Sequence, residues 1–180
     1  MTTKNHGATR ARRATGAMFF AVFGGAWLEG WAAAGARPPA LKVAIGILAL
    51  AFAVAAYARY RRHRAALAAE PETPASRRAS RVFHIVNAGQ WILIIGLANV
   101  LIRHGWNAWV IPMAIFIIGL HFFPLGRVFV NRPHYVTGAA MVALAAIYPF
   151  VAPGGPADAS GMLGAGLILW ASAGWAIRRH

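Results

Sequence analysis

The sequence predicts an all-α polytopic membrane protein: a bundle of six transmembrane helices with both termini on the cytoplasmic side. Two observations carry that prediction. Six apolar stretches, at about 15–35, 40–58, 82–102, 107–126, 134–151 and 159–177, occupy most of a 180-residue chain that is 59% hydrophobic. Most of them have the ~20 residues a helix needs to cross ~30 Å of hydrocarbon. In addition, fifteen of the 18 Lys and Arg residues fall in alternate gaps between the stretches, the asymmetry expected when basic segments stay in the cytoplasm.

The elements follow in order. A basic arm, residues 1–14, carries Lys4, Arg10, Arg12 and Arg13 ahead of the first stretch. That stretch has the basic flank of a signal peptide and ends in small residues, Ala32-Ala33-Ala34-Gly35. It is longer than the ~7–15 residues of a signal-peptide core and contains Trp27, Glu29 and Trp31, so it is read as a retained span. Only Arg37 and Lys42 separate it from the second. The gap 59–81 holds Arg59, Arg61, Arg62, Arg64, Arg77, Arg78 and Arg81, opens with a run that helix could continue into, is broken by Pro71 and Pro74, and reads as a cytoplasmic basic loop. Arg103 follows the third stretch; Arg127 and Arg132 follow the fourth. The next gap, with Pro153, Gly154, Gly155 and Pro156, is turn-forming and carries no base. Arg178 and Arg179 close the sixth stretch. Residues 15–180 are expected to form one membrane domain, since no hydrophilic segment is rich enough in apolar residues to build a core of its own.

Composition excludes several functions. There is no cysteine, hence no disulfide, thiolate ligand or thiol nucleophile. The net charge of +14 does not indicate nucleic acid, because the basic residues flank spans and lack interleaved aromatics for base stacking. Anionic headgroups on the cytoplasmic leaflet are the expected partner of those charges. Small residues suited to close helix approach leave a homo-oligomer open. The expected location is the cell inner (plasma) membrane.

Polar side chains inside the spans are where chemistry could reside, since hydrocarbon tolerates them only when they are paired or face a cavity. With each centre placed midway between flanking charges and a rise of ~1.5 Å per residue, His84, Asn87 and Gln90 lie roughly 12, 8 and 3 Å inward of the third span's centre, and His121 about 6 Å inward on the fourth. His134 and Thr137 open the fifth span on the same side. At ~100° per residue, His84, Asn87, Gln90 and Trp91 share one arc of their helix. These residues define an expected cytoplasm-facing polar layer on helices 3 to 5. Glu29 is the one acid within a span, because Glu70, Glu72 and Asp158 fall in gaps. A carboxyl at that depth is expected to bind a proton or a cation. The histidines have no metal-ligand spacing within a span and no acid beside them, so neither a metal, a cofactor nor a set of catalytic residues is indicated.

Three runs carry a family resemblance: Phe-His-Ile-Val-Asn-Ala-Gly-Gln-Trp at 83–91, Gly-Leu-His-Phe-Phe-Pro-Leu-Gly-Arg-Val-Phe at 119–129, and Pro-His-Tyr-Val-Thr-Gly-Ala-Ala at 133–140. They resemble a family of uncharacterised small bacterial multi-span membrane proteins with a Gly-Leu-His-Phe-Phe-Pro-Leu motif. The resemblance implies no reaction or substrate. It groups His84, Asn87, Gln90, Trp91, His121, Pro124, His134 and Tyr135 as one set.

The functional expectation is a transporter-like or solute-binding bundle that takes a small molecule at the polar layer of helices 3 to 5. A non-catalytic membrane scaffold or accessory subunit, using those residues as interhelical glue, is the alternative. An enzyme acting on lipid stands behind both. The orientation is directly testable: reporter fusions at residues 36–40, 104–106 and 153–159 should read as external, and fusions at 65–75 and at the C-terminus as cytoplasmic. An external C-terminus would invert the depth assignments of every polar residue named above.

Overall fold

The computed structural model of the chain describes residues 3–178. Arg179, counted above among the C-terminal bases, and the first two residues of the basic arm lie outside the described residues. Six α-helices follow one another: α1 Thr3–Ala34, α2 Pro39–Ala68, α3 Pro74–Arg103, α4 Val110–Val128, α5 Arg132–Val151 and α6 Ser160–Arg178. Short 3-10 turns at Asn107–Trp109 and Gly155–Ala157 precede α4 and α6. No strand occurs among the described residues. All six helices are long and apolar enough to cross a membrane.

The first three helices outrun their apolar stretches. α1 has 32 residues and α2 and α3 have 30 each, or about 45–48 Å at ~1.5 Å per residue, against ~30 Å of hydrocarbon. The arm that precedes the first stretch is therefore helical from Thr3. The 59–81 segment is helical beyond its opening run, and only residues 69–73, around the expected break at Pro71 and Pro74, link α2 to α3. Local chemistry explains the difference. Between Arg59 and Ala68 the chain is built almost wholly of Arg, Ala and Leu, which are strong helix formers, and the first breaker is Pro71. Pro74 then occupies the first turn of α3, where its missing N–H costs nothing. A reciprocal cap starts that helix: Ser76 N–H donates to Thr73 Oγ1 at 3.1 Å and Thr73 N–H donates to Ser76 Oγ at 3.0 Å.

Contacts divide the chain into two compact units. One holds α1, α2 and α6 from Gly166 onward; the other runs from Glu72 to Ala165. In the first unit α1 and α2 lie antiparallel, with Gly7 facing Ala66 and Gly25 facing Ala49. α1 buries Ala8, Ala11, Ala14, Ala17 and Ala21 completely, a spacing of three to four residues that keeps one helix face narrow. Arg12 pairs with Glu70 beside the α2 terminus. Trp170 of α6 rests over Gly24, and its indole N–H donates to the Ala21 carbonyl at 3.0 Å.

In the second unit α3 packs on α4 and α4 on α5. The α4–α5 crossing brings backbone against backbone. A Cβ placed on Gly138 would lie 2.8 Å from the Gly119 carbonyl oxygen, and one on Gly119 would lie 2.9 Å from Val142 N. Ile115 and Met141 are the largest fully buried side chains of the described residues. The turn that reverses the chain places Val130 at φ 49°, and Asn131 N–H donates to the Gly126 carbonyl at 2.9 Å. A β-branched residue in left-handed conformation is strained, and at 89% exposure little packing offsets it. At the other end Tyr148 donates its hydroxyl proton to the Pro156 carbonyl at 3.2 Å. Asp158 starts α6 by accepting the Ser160 N–H at 2.8 Å and the Gly154 N–H at 3.0 Å. These bonds, that from Ser160 first, hold the Asp158 carboxyl below the usual carboxylate range.

Two substitutions should separate these effects. Gly138→Ala, with no room for its methyl, should destabilise the protein by about 1–3 kcal/mol. Val130→Gly should relieve the turn and stabilise it by about 1 kcal/mol. Thermal unfolding in lipid nanodiscs reads both; equal effects of the two changes would show that neither site is strained as described.

Candidate functional site at the α4–α5 hairpin

Of the polar residues expected from sequence, His121 and His134 are brought together, because the glycine crossing of α4 and α5 sets both on a common aromatic residue. Phe122, 5% exposed, has its ring centroid 4.4 Å from that of His121 and 5.8 Å from that of His134. Both imidazoles thus bear on one buried ring. His121 Nδ1 lies 2.8 Å from the Ile118 carbonyl oxygen. A carbonyl only accepts, so Nδ1 carries the proton and Nε2 of the neutral ring is left as an acceptor. In His134 it is Nε2 that receives a hydrogen bond, from the Asn131 amide at 3.3 Å, which puts the proton of that neutral ring on Nδ1.

The rest of the hairpin fixes this pair. Thr137, 3% exposed, follows His134 on the same face of α5 and donates its hydroxyl to the Pro133 carbonyl at 3.1 Å. Tyr135 takes a different direction. Its ring lies 6.1 Å from that of Phe123 and fills the space over Gly126, while 38% of the residue stays exposed. Arg127 in the last turn of α4 and Arg132 at the start of α5 are both exposed and place positive charge at the hairpin's basic end.

α3 contributes less regularly. No residue of this helix is fully buried. His84 and Trp91 are exposed, while Asn87 and Gln90 are half-buried. Gln90 Oε1 is nonetheless shielded from solvent and accepts no hydrogen bond from the protein, a cost of about 1–3 kcal/mol for a buried acceptor. The aromatic link from α3 to the end of α4 is Phe83, whose ring lies 6.2 Å from that of Phe129.

Phe122, Asn131 and Phe83 were not singled out by sequence. The first lies inside the Gly-Leu-His-Phe-Phe-Pro-Leu run, where an apolar residue in an apolar stretch carries no signal. Asn131 could have been found from its place three residues ahead of His134, across a turn.

Glu29 belongs to the other unit. It is half-buried and lines a groove of about 330 Å³ between α1 and α2. Its Oε1 would lie 3.9 Å from a Cβ placed on Gly46. A larger groove, about 620 Å³, lies between α3 and α4 and is lined by Trp106, Trp109, Met113, Phe116 and other apolar residues. Among the described residues no three His, Asp or Glu side chains converge as metal ligands. No protein-family model, no curated protein and no solved structure matches the chain.

Proposed function

We propose that this chain is a six-span protein of the plasma membrane, with both termini cytoplasmic, that binds a small polar solute at the α4–α5 hairpin as a transporter-like bundle. The observation that carries this reading is the convergence of His121 and His134, from different helices, on the ring of Phe122. Two imidazoles so arranged set polar ring nitrogens beside an apolar surface, the composition of a small-molecule site. On the neighbouring α3, Gln90 Oε1 is a shielded acceptor with no hydrogen bond from the described residues.

The scaffold alternative asks polar residues to tie helices together. Asn99 and His121 instead turn their hydrogen bonds onto their own helices, at Ile95 and Ile118, which favours the solute-binding reading. The exposed Arg127 and Arg132 at the basic end of the hairpin favour an anion over a cation.

The test is thermal unfolding of the protein in nanodiscs titrated with acetate, phosphate and methylammonium. An anion should raise Tm in a saturable way, and His121→Phe and His134→Phe should each weaken its binding at least tenfold, about 1.4 kcal/mol. Absence of any saturable shift, or a shift unchanged in both variants, would sink the solute-binding reading.

A further inference from the structure

The groove at Glu29 has a composition that selects its occupant. Its other lining residues include Val22, Ala26, Ile45, Gly46 and Leu50, and none of the lining side chains but that of Glu29 is polar. The groove exists because Gly25, Gly46, Ala49 and Ala53 keep both helix faces small. The Glu29 carboxyl makes no ion pair or hydrogen bond with the described residues. The neighbouring bases are otherwise placed: the Arg37 guanidinium lies 5.1 Å from the Trp31 ring centroid, and Lys42, one turn along α2 from Gly46, forms no ion pair with Glu29.

We propose that this groove binds a lipophilic organic cation, a quaternary or protonated amine with an apolar body, that reaches it laterally from the bilayer. Each competing occupant lacks something the groove would have to supply. Hard metal cations require about six or more oxygen ligands, and the lining side chains offer the two oxygens of Glu29. A hydrated ion would lose water to an apolar wall without replacement. A zwitterionic lipid headgroup would bring its phosphate against the carboxylate. An amine with an apolar body matches both parts: its charge meets Glu29 and its hydrocarbon covers α1 and α2. This site lies in a different unit from the α4–α5 hairpin and does not depend on the function proposed there.

Equilibrium dialysis of radiolabelled tetrabutylammonium against the protein in nanodiscs, with protein-free discs as background, tests it. Saturable binding above background is expected. Glu29→Gln should weaken it at least tenfold, and Gly46→Leu should do the same with the carboxyl still in place, because leucine fills the groove. Lys42→Met should leave binding intact or tighten it. Tributylphosphine oxide, uncharged and of similar bulk, should not compete. Should Glu29→Gln fail to fold, the Gly46→Leu and competition measurements decide alone. Binding no greater than that of empty discs, equal binding by a folded Glu29→Gln variant, or equal competition by the phosphine oxide would overturn the proposal. Binding that appears only once Lys42 is removed would make Lys42 the groove's own counter-ion, with the same result. His121→Phe and His134→Phe should leave this binding unchanged, so failure of one site is distinguishable from failure of the other.

Discussion

Every backbone N–H and C=O in hydrocarbon has to be satisfied within the protein, because no water is there to do it. That requirement makes each apolar stretch a helix before any side chain is considered, and it removes the ordinary drive for helices to associate, since lipid is as apolar as leucine. What remains is close contact between helix surfaces. The Gly119–Gly138 crossing is the clearest case. There the approach of α4 and α5 is limited by carbonyl oxygens rather than side chains, and the same approach sets His121 and His134 against Phe122. The alanine face of α1 and the seat of Trp170 over Gly24 are the equivalent devices in the other unit.

The polar residues then divide by what they do with their hydrogen bonds. Asn99, Thr137 and Ser172 each donate to a carbonyl four residues earlier on the same helix, which satisfies the hydroxyl or amide donor locally. The Asn131–His134 pair is different, because it fixes a ring orientation at the point where the chain reverses. A site built on that turn inherits the rigidity of two helix ends and the strain of one residue, Val130, held in left-handed conformation.

Much of the fold was legible in the sequence because hydrocarbon demands length and apolarity, and both can be counted. Each of the six apolar stretches coincides with an α-helix to within a few residues at its ends. The ends of α1, α2 and α3 were not legible, because Arg marks the edge of the hydrocarbon without marking the end of a helix, and Arg and Ala continue a helix readily into water. At the site, the histidines were visible as polar residues out of place, whereas Phe122 was hidden among residues of its own kind. The polar stripe of α3 was read from periodicity alone, and periodicity gives a face without saying how deeply it packs. His84 and Trp91 are accordingly exposed while Gln90 Oε1 is enclosed. The division into two units had no sequence signal, since one of its boundaries falls inside α6.

In a bilayer, the helical extensions of α1 and α2 would decide how lipid senses their charge. In a bilayer drawn over residues 15–35 and 40–58, Arg59 stands at the hydrocarbon edge and Arg64 about 8 Å beyond it at ~1.5 Å per residue. That height is close to the Debye length of ~8 Å at physiological salt. A disordered loop could fold all of its guanidinium groups down onto the headgroups, whereas a rod holds each at a fixed height. A surface potential would therefore be sampled in graded steps, strongly at the base and weakly at the tip. Raising the ionic strength would silence the tip arginines first, so the charge counted along the chain and the charge felt by the membrane are different quantities.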